Sequence, residues 1–116
     1  MKILIVDDNP RMRATLRKIL ERYLKNIEAI QECSDEAEAV GFYKDFKPDW
    51  VLMDIQLEKG NGLTATKMIL ELDPAAKILI VSQYDESAYR EAAKNIGARG
   101  YVLKDNLLDI PGFIAE

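Results

Sequence analysis

The 116 residues, 48% hydrophobic and 31% charged, have the balance of one water-soluble globular domain and not of a disordered, fibrous or membrane-embedded chain. A formal charge of −4 argues against a surface that grips nucleic acid throughout, the single Cys33 excludes an intrachain disulfide or a CxxC metal site, and the absence of histidine excludes His-based triads, imidazole bases and phosphohistidine. No apolar run has the length of a membrane span and no secretory pattern opens the chain, so cytoplasm is the expected compartment, with no membrane partner.

The first apolar run, Lys2 to Val6, predicts a strand that ends at the acidic pair Asp7-Asp8. Asn9-Pro10 then offers a cap and a proline at the first helical position, and Met12, Leu16, Ile19, Leu20, Tyr23 and Leu24 fall on one stripe of the helix that follows. Arg11, Arg13, Arg17, Lys18, Arg22 and Lys25, against the lone acid Glu21, predict that its other face is basic and solvated. Ile27 to Glu32 alternates in polarity, as an edge strand does. A second helix is capped by Ser34-Asp35, runs to about Phe46 and is ended by Pro48. Trp50 to Met53 forms a buried strand followed directly by Asp54. The third helix begins after Asn61-Gly62, carries Leu63, Thr66, Ile69 and Leu70, and stops before Asp73-Pro74. Lys77 to Val81 is the fourth strand, with Ser82 next; Tyr89, Ala92, Ala93 and Ile96 mark the fourth helix, and Gly97 its C-terminal cap. Gly100 to Leu103 is the fifth strand, followed by Lys104. In the closing segment, Asn106 to Glu116, Pro111 predicts a helix that is short, starting near Asp109, or broken.

Strands alternating with helices read as repeated βα units, and right-handed crossovers turn them into a doubly wound α/β domain: a five-stranded parallel sheet with helices on both faces, occupying residues 1–116 as one domain. In such a sheet every strand points the same way, so the residues that follow the strands gather along one edge, where ligands bind. Asp7, Asp8, Asp54, Ser82 and Lys104 are therefore expected on one rim. Three crowded carboxylates repel one another unless a cation binds or one takes up a proton. Oxygen donors without His or Cys favour Mg²⁺ or Mn²⁺, and Mg²⁺ commonly combines one or two carboxylates with waters and a phosphate. With cations screening the repulsion, a carboxylate can attack phosphorus to give an aspartyl phosphate. Asp54, alone at the end of a buried strand, is the candidate nucleophile; Lys104 would neutralise one phosphoryl oxygen and Ser82 would donate a hydrogen bond to another.

These residues resemble a family. Ile3-Leu4-Ile5-Val6-Asp7-Asp8-Asn9-Pro10, Asp49-Trp50-Val51-Leu52-Met53-Asp54-Ile55, Gly62-Leu63, Ile80-Val81-Ser82 and Gly97 to Asp105 are similar to the receiver domain of two-component response regulators, and several segments to its LuxR/NarL-type subgroup. The resemblance implies a flavodoxin-like three-layer sandwich with strand order 2-1-3-4-5. It also implies that Asp54 takes a phosphoryl group from a phosphohistidine of a sensor histidine kinase or phosphotransfer protein. Mg²⁺ would be held by Asp8 and Asp54, by Asp7 through water, and by the backbone carbonyl of Gln56. Ser82 and Tyr101 would form the switch, and the side chains of Gln56 and Tyr84 would modulate loss of phosphate, bulky Tyr84 by obstructing water. The readout would be the face of the fourth helix, fifth strand and fifth helix, which could also pair two copies; DNA would be reached only through an output domain beyond this segment. Slow self-dephosphorylation would make it a switch and not a turnover enzyme. Many members carry Met-Pro where this chain has Leu57-Glu58, so a looser loop is expected after Asp54. The alternative is a pseudo-receiver that works without phosphate. An aspartyl-phosphate hydrolase would need an aspartate at position 56, which is Gln56, and a flavin carrier would need a Ser/Thr/Gly-rich loop after the first strand.

Overall fold

The computed structural model describes residues 1–114. Five parallel strands, β1 (Lys2–Val6), β2 (Ala29–Cys33), β3 (Trp50–Met53), β4 (Ile78–Ser82) and β5 (Gly100–Leu103), form one sheet in the order β2-β1-β3-β4-β5. The helices between them are α1 (Pro10–Tyr23), α2 (Glu36–Phe46), α3 (Gly62–Leu72) and α4 (Ser87–Ile96). After β5 comes a 3-10 segment over Lys104–Asp109, then a short α5 (Ile110–Ile114).

Side chains alternate across each strand, so every central strand feeds two cores. Ile3, Ile5, Leu52, Leu79 and Val81 face α1 and α5, packing with Leu16, Leu20, Ile110 and Ile114. Leu4, Val6, Val51, Met53, Ile78 and Ile80 face the other way, against Ala39, Ala65, Ile69 and Ala93 of α2, α3 and α4. Burying each large side chain contributes roughly 1.5–3 kcal/mol, which makes the three central strands the rigid frame of the molecule. Local signals set the helix ends. The side chain of Asn9 accepts from the amides of Arg11 and Met12, Asp35 accepts from Glu38, Asn61 accepts from Leu63, and Gly97 closes α4 in the left-handed conformation at φ 117°.

Four expectations need correction. The second strand runs over Ala29–Cys33 and not Ile27 to Glu32, because its register is set by β1, where Lys2 pairs with Ala29 and Val6 with Cys33. The fourth strand likewise extends through Ser82, which pairs with Leu103, so the hydroxyl belongs to the strand itself. Tyr23, assigned to the buried stripe of α1, is 50% exposed, while its neighbours on that stripe, Leu20 and Leu24, pack in the core. The basic face of α1 is only partly solvated: Arg13 and Arg17 fold onto Glu32 of the edge strand, with Nε to carboxylate distances of 3.1 and 2.8 Å.

The closing segment is both broken and short. Asn106 departs from helical dihedrals (φ −128°, ψ 45°), and Pro111 falls in the first turn of α5, where its missing N–H has no partner to lose. The last two positions of that segment lie outside the described residues.

Candidate functional site

Register builds the site. Val6 pairs with Met53, and the Asp54 amide donates to the Val6 carbonyl at 2.9 Å, so the next residues on the two central strands, Asp7 and Asp54, emerge side by side. Both are buried, at 1% and 5% exposure, while Asp8 opens outward. Oxygens of Asp7, Asp8 and Asp54 all lie within 4.8 Å of one another. The pairing of Ser82 with Leu103 brings the end of β5 alongside, and the Lys104 ammonium reaches in to 3.2 Å from Asp54 Oδ2 and 3.0 Å from Asp7 Oδ2. An open cavity of about 390 Å³ lies above this group, with Asp8, Asp54 and Lys104 on its wall, Gln56 and Gln83 at its sides, and Leu57 and Glu58 from the following loop.

The charges do not balance. Burial, with the neighbouring Asp7 charge, pushes the Asp54 carboxyl from an ordinary 3.8 up to about 6, and Lys104 only partly offsets this. For Lys104 itself burial works against the ammonium form, but Asp7 and Asp54 outweigh it and the net shift is upward, so the cation persists. Its approach to Asp7 is an ion pair without hydrogen-bond alignment, and Asp7 Oδ2 remains a buried carboxylate oxygen with no donor. A carboxylate oxygen in that position depends on the one shared ammonium for its compensation. Oxygen donors alone, three acids against one cation, and one orphaned buried oxygen fit a hard divalent metal ion.

The frame around these acids is firm. Asp7 donates its amide to Cys33 O at 3.1 Å, accepts the Asn9 amide on Oδ1 at 2.8 Å, and has its carbonyl held by Arg13 Nη1 at 2.6 Å. The loop after Asp54, expected to be loose, is pinned. Gln56 bridges to Asn61, the Gly62 amide donates to Ile55 O at 2.7 Å, and Glu36 of α2 accepts the Asn61 amide at 3.0 Å while its own amide donates to Lys59 O at 3.1 Å. Gly62 is required there, because a Cβ at that position would lie 1.7 Å from the Asp54 carbonyl oxygen. Leu57 is buried and anchors the same loop.

Ser82 is fully buried and its Oγ accepts the Tyr84 amide at 3.0 Å; among the described residues it makes no hydrogen bond to Asp54. The Tyr101 hydroxyl donates to the Tyr84 carbonyl at 2.6 Å, and the Arg90 guanidinium lies 4.8 Å from the Tyr101 ring centroid. Tyr84 also donates its own hydroxyl to Gln56 Oε1 and stacks on Tyr89, with centroids 4.7 Å apart. Sequence reasoning brought Asp7, Asp8, Asp54 and Lys104 to this rim, but missed Arg13, Glu36, Gln83, Tyr89 and Arg90. Only Arg13 left a usable signal, its i,i+4 spacing from Arg17 opposite the acidic residue Glu32 of an edge strand.

The model of the response regulator receiver domain matches residues 3–110. The chain belongs to that family. Among similar proteins, the chemotaxis protein CheY of Thermotoga maritima is 38% identical over 103 residues, 89% of this chain and 84% of CheY. The oxygen regulatory protein NreC of Staphylococcus aureus is 37% identical over 106 residues, 90% of this chain but 48% of NreC, so the chain spans about half the length of that relative. A two-component response regulator of the LuxR family from Aurantimonas sp. SI85-9A1 superposes with a TM-score of 0.89 at 35% identity, over 96% of this chain and 79% of that one. CheY in a CheX–CheY–BeF₃–Mg²⁺ complex from Borrelia burgdorferi gives 0.88 at 26% identity, over 98% of this chain and 86% of that one. As a receiver domain the chain has an acidic pocket, Asp7, Asp8 and Asp54, that fits a phosphoacceptor site. No helix among the described residues is long and apolar enough to cross a membrane.

Proposed function

We propose that residues 1–116 act as one receiver domain in the cytoplasm, in which Asp54 accepts a phosphoryl group from a phosphohistidine of a sensor kinase or phosphotransfer protein. The observation that carries this is the single ammonium of Lys104 bridging two buried carboxylates, Asp54 at 3.2 Å and Asp7 at 3.0 Å, beneath an open cavity. A carboxylate oxygen of Asp54 forms a bond to phosphorus as the phosphorus–imidazole nitrogen bond breaks, and the departing imidazole keeps the electron pair and takes a proton from solvent. Lys104 stands ready to neutralise a phosphoryl oxygen, and Ser82 to donate to another.

Mg²⁺ would be held by Asp8 and Asp54, with Asp7 behind them and the backbone carbonyl of Gln56 beside them, and would supply positive charge against the phosphoryl oxygens. The oxygen-only donor set and the orphaned Asp7 Oδ2 support that choice, as does the Mg²⁺ in the related CheY complex. Ser82 and Tyr101 are the switch: the Tyr101 hydroxyl bonded to the Tyr84 carbonyl joins β5 to the loop that leads from Ser82 into α4. The output is the α4–β5–α5 face, which would also pair two copies. In a longer parent protein, regulation of transcription would run through a DNA-binding output domain. Phosphate lost slowly by hydrolysis resets the switch, with the side chains of Gln56 and Tyr84 setting the rate.

Labelling with radioactive acetyl phosphate tests the core of this reading. Incorporation should need Mg²⁺ and vanish in Asp54→Asn. Absence of label in the unaltered chain, or undiminished label in the variant, would sink it in favour of a module that works without phosphate.

A further inference from the structure

Arg13 stands near the start of α1, and its guanidinium makes bonds to two other elements: Nε donates to Glu32 Oε1 of β2 at 3.1 Å, and Nη1 donates to the Asp7 carbonyl at 2.6 Å. The first bond has a companion, since Arg17 holds the other oxygen of Glu32 at 2.8 Å. The second has none. The Asp7 amide donates to the carbonyl of Cys33, the last residue of β2, so the ladder ends there, and among the described residues only Arg13 donates to the Asp7 carbonyl. A short bond from a charged donor is about twice as strong as one between neutral groups, so this grip is firm.

The carbonyl that Arg13 holds belongs to the peptide leading into Asp8. The Asp7 amide is fixed on Cys33 and its Oδ1 accepts the Asn9 amide at 2.8 Å, so the guanidinium completes the set of contacts that orients this peptide. Asp8 itself lies on the cavity wall, and among the described residues no hydrogen bond or ion pair holds its carboxylate. Its direction therefore comes from its backbone. That matters for an ion as small as Mg²⁺, which demands near-ideal octahedral geometry of its ligands. From these contacts we infer that Arg13 is a positioning residue for metal binding: by gripping the Asp7 carbonyl it keeps the Asp8 carboxylate aimed toward Asp54, where an ion would join the two. The inference rests on the acid cluster as the Mg²⁺ site. Charge alone would act with the opposite sign, because a guanidinium repels the ion, so removing it would tighten binding. Glu32 is dispensable for the grip, since Nη1 reaches the carbonyl directly from α1.

The test is calorimetric titration of the full, unlabelled chain with Mg²⁺. Arg13→Met removes the grip and should weaken binding by about tenfold, the low end for loss of a group that orients a metal ligand. Arg17→Met, which breaks a matching ion pair to Glu32 from the same helix, should leave the affinity at the parental value. Arg13→Lys, whose ammonium cannot serve Glu32 and the carbonyl at once, should fall between the parent and Arg13→Met, and it keeps the test available should Arg13→Met fail to fold. Labelling by radioactive acetyl phosphate gives a second reading: the Arg13 variants should need more Mg²⁺ for half-maximal labelling, in proportion to their lost affinity, yet reach the parental rate at saturation. Parental or tighter affinity in the folded Arg13 variants, an equal loss in Arg17→Met, or a lowered rate at saturating Mg²⁺ overturns the inference while leaving the metal site intact. A parent chain that binds no Mg²⁺ overturns both.

Discussion

Two ionic clusters lie on either side of the end of β1, and they are balanced in opposite ways. On the β2 side one acid, Glu32, is shared by two guanidinium groups, Arg13 at 3.1 Å and Arg17 at 2.8 Å, and Arg17 spends a further donor on the Ile30 carbonyl at 3.1 Å. On the β3 side three acids crowd together around one ammonium, and Lys104 pairs with only two of them, Asp7 and Asp54. The first cluster is complete in itself and half-solvated, and its work is to tie an edge strand to a helix. The second is more deeply buried, keeps an acid without a donor at Asp7 Oδ2, and opens to solvent through a cavity. A charge imbalance retained at such a place marks a site that receives something, whereas a satisfied cluster marks a joint. Arg13 belongs to both, since it holds Glu32 with Nε and the Asp7 carbonyl with Nη1.

The comparison breaks most readily at Asp54. Asp54→Asn should abolish labelling by acetyl phosphate, yet raise the stability of the metal-free protein at pH 7 by roughly 1–3 kcal/mol, because it removes a carboxyl whose charge is disfavoured in the fold. The sign follows from the upward shift. Between the unfolded value near 3.8 and the folded value of about 6 the native state binds more protons than the unfolded one, so metal-free stability should fall as pH rises through that window. Denaturant melts of both forms at pH 4 and pH 7 check it, and a variant less stable than the parent at pH 7 would contradict the imbalance.

Magnesium should act next most strongly. At tenfold excess over its dissociation constant it should stabilise the chain by about 1.4 kcal/mol, and Asp8→Asn should remove the gain. A thermal melt with and without Mg²⁺ shows it, and equal gains in both proteins would argue against Asp8 as a ligand. Glu32→Ala should cost roughly 1 kcal/mol, since the pairs it breaks are half-solvated, and should leave the Mg²⁺-dependent gain in place. If that gain disappeared as well, the two clusters would not be separate devices. The smallest effect is expected at Cys33. Burial, with the charges of Glu38 and Asp35, pushes its thiol up to about 12, so a thiol reagent at pH 8 should leave the folded chain unmodified and react only on unfolding.

Local chemistry was open to sequence reasoning. Asn9, Asp35, Asn61 and Gly97 act on amides and carbonyls within a few positions of themselves, so their capping roles could be read without the fold. The acids and the lysine at the rim were legible for a second reason: each directly follows a strand, and parallel strands deliver such positions to one edge. Arg13 and Arg17 were misassigned to solvent because their partner, Glu32, is far along the chain and reaches them only when β2 docks on β1. Tyr89 and Arg90 looked like ordinary residues of α4 for the same reason, since their partners Tyr84 and Tyr101 come from a loop and from another strand.

The sequence by itself determined the alternation of strands and helices, the helix caps, the split core and the residues that arrive at the rim, all of which depend on periodicity and on neighbours. Only the tertiary structure decided the limits of β2 and β4, the 3-10 segment before α5, the pinned loop after Asp54, and which side chain answers Glu32, Asp7 and Gln56. Those depend on register between strands and on packing of helices against the sheet, and a polar group finds its distant partner only once both have been set.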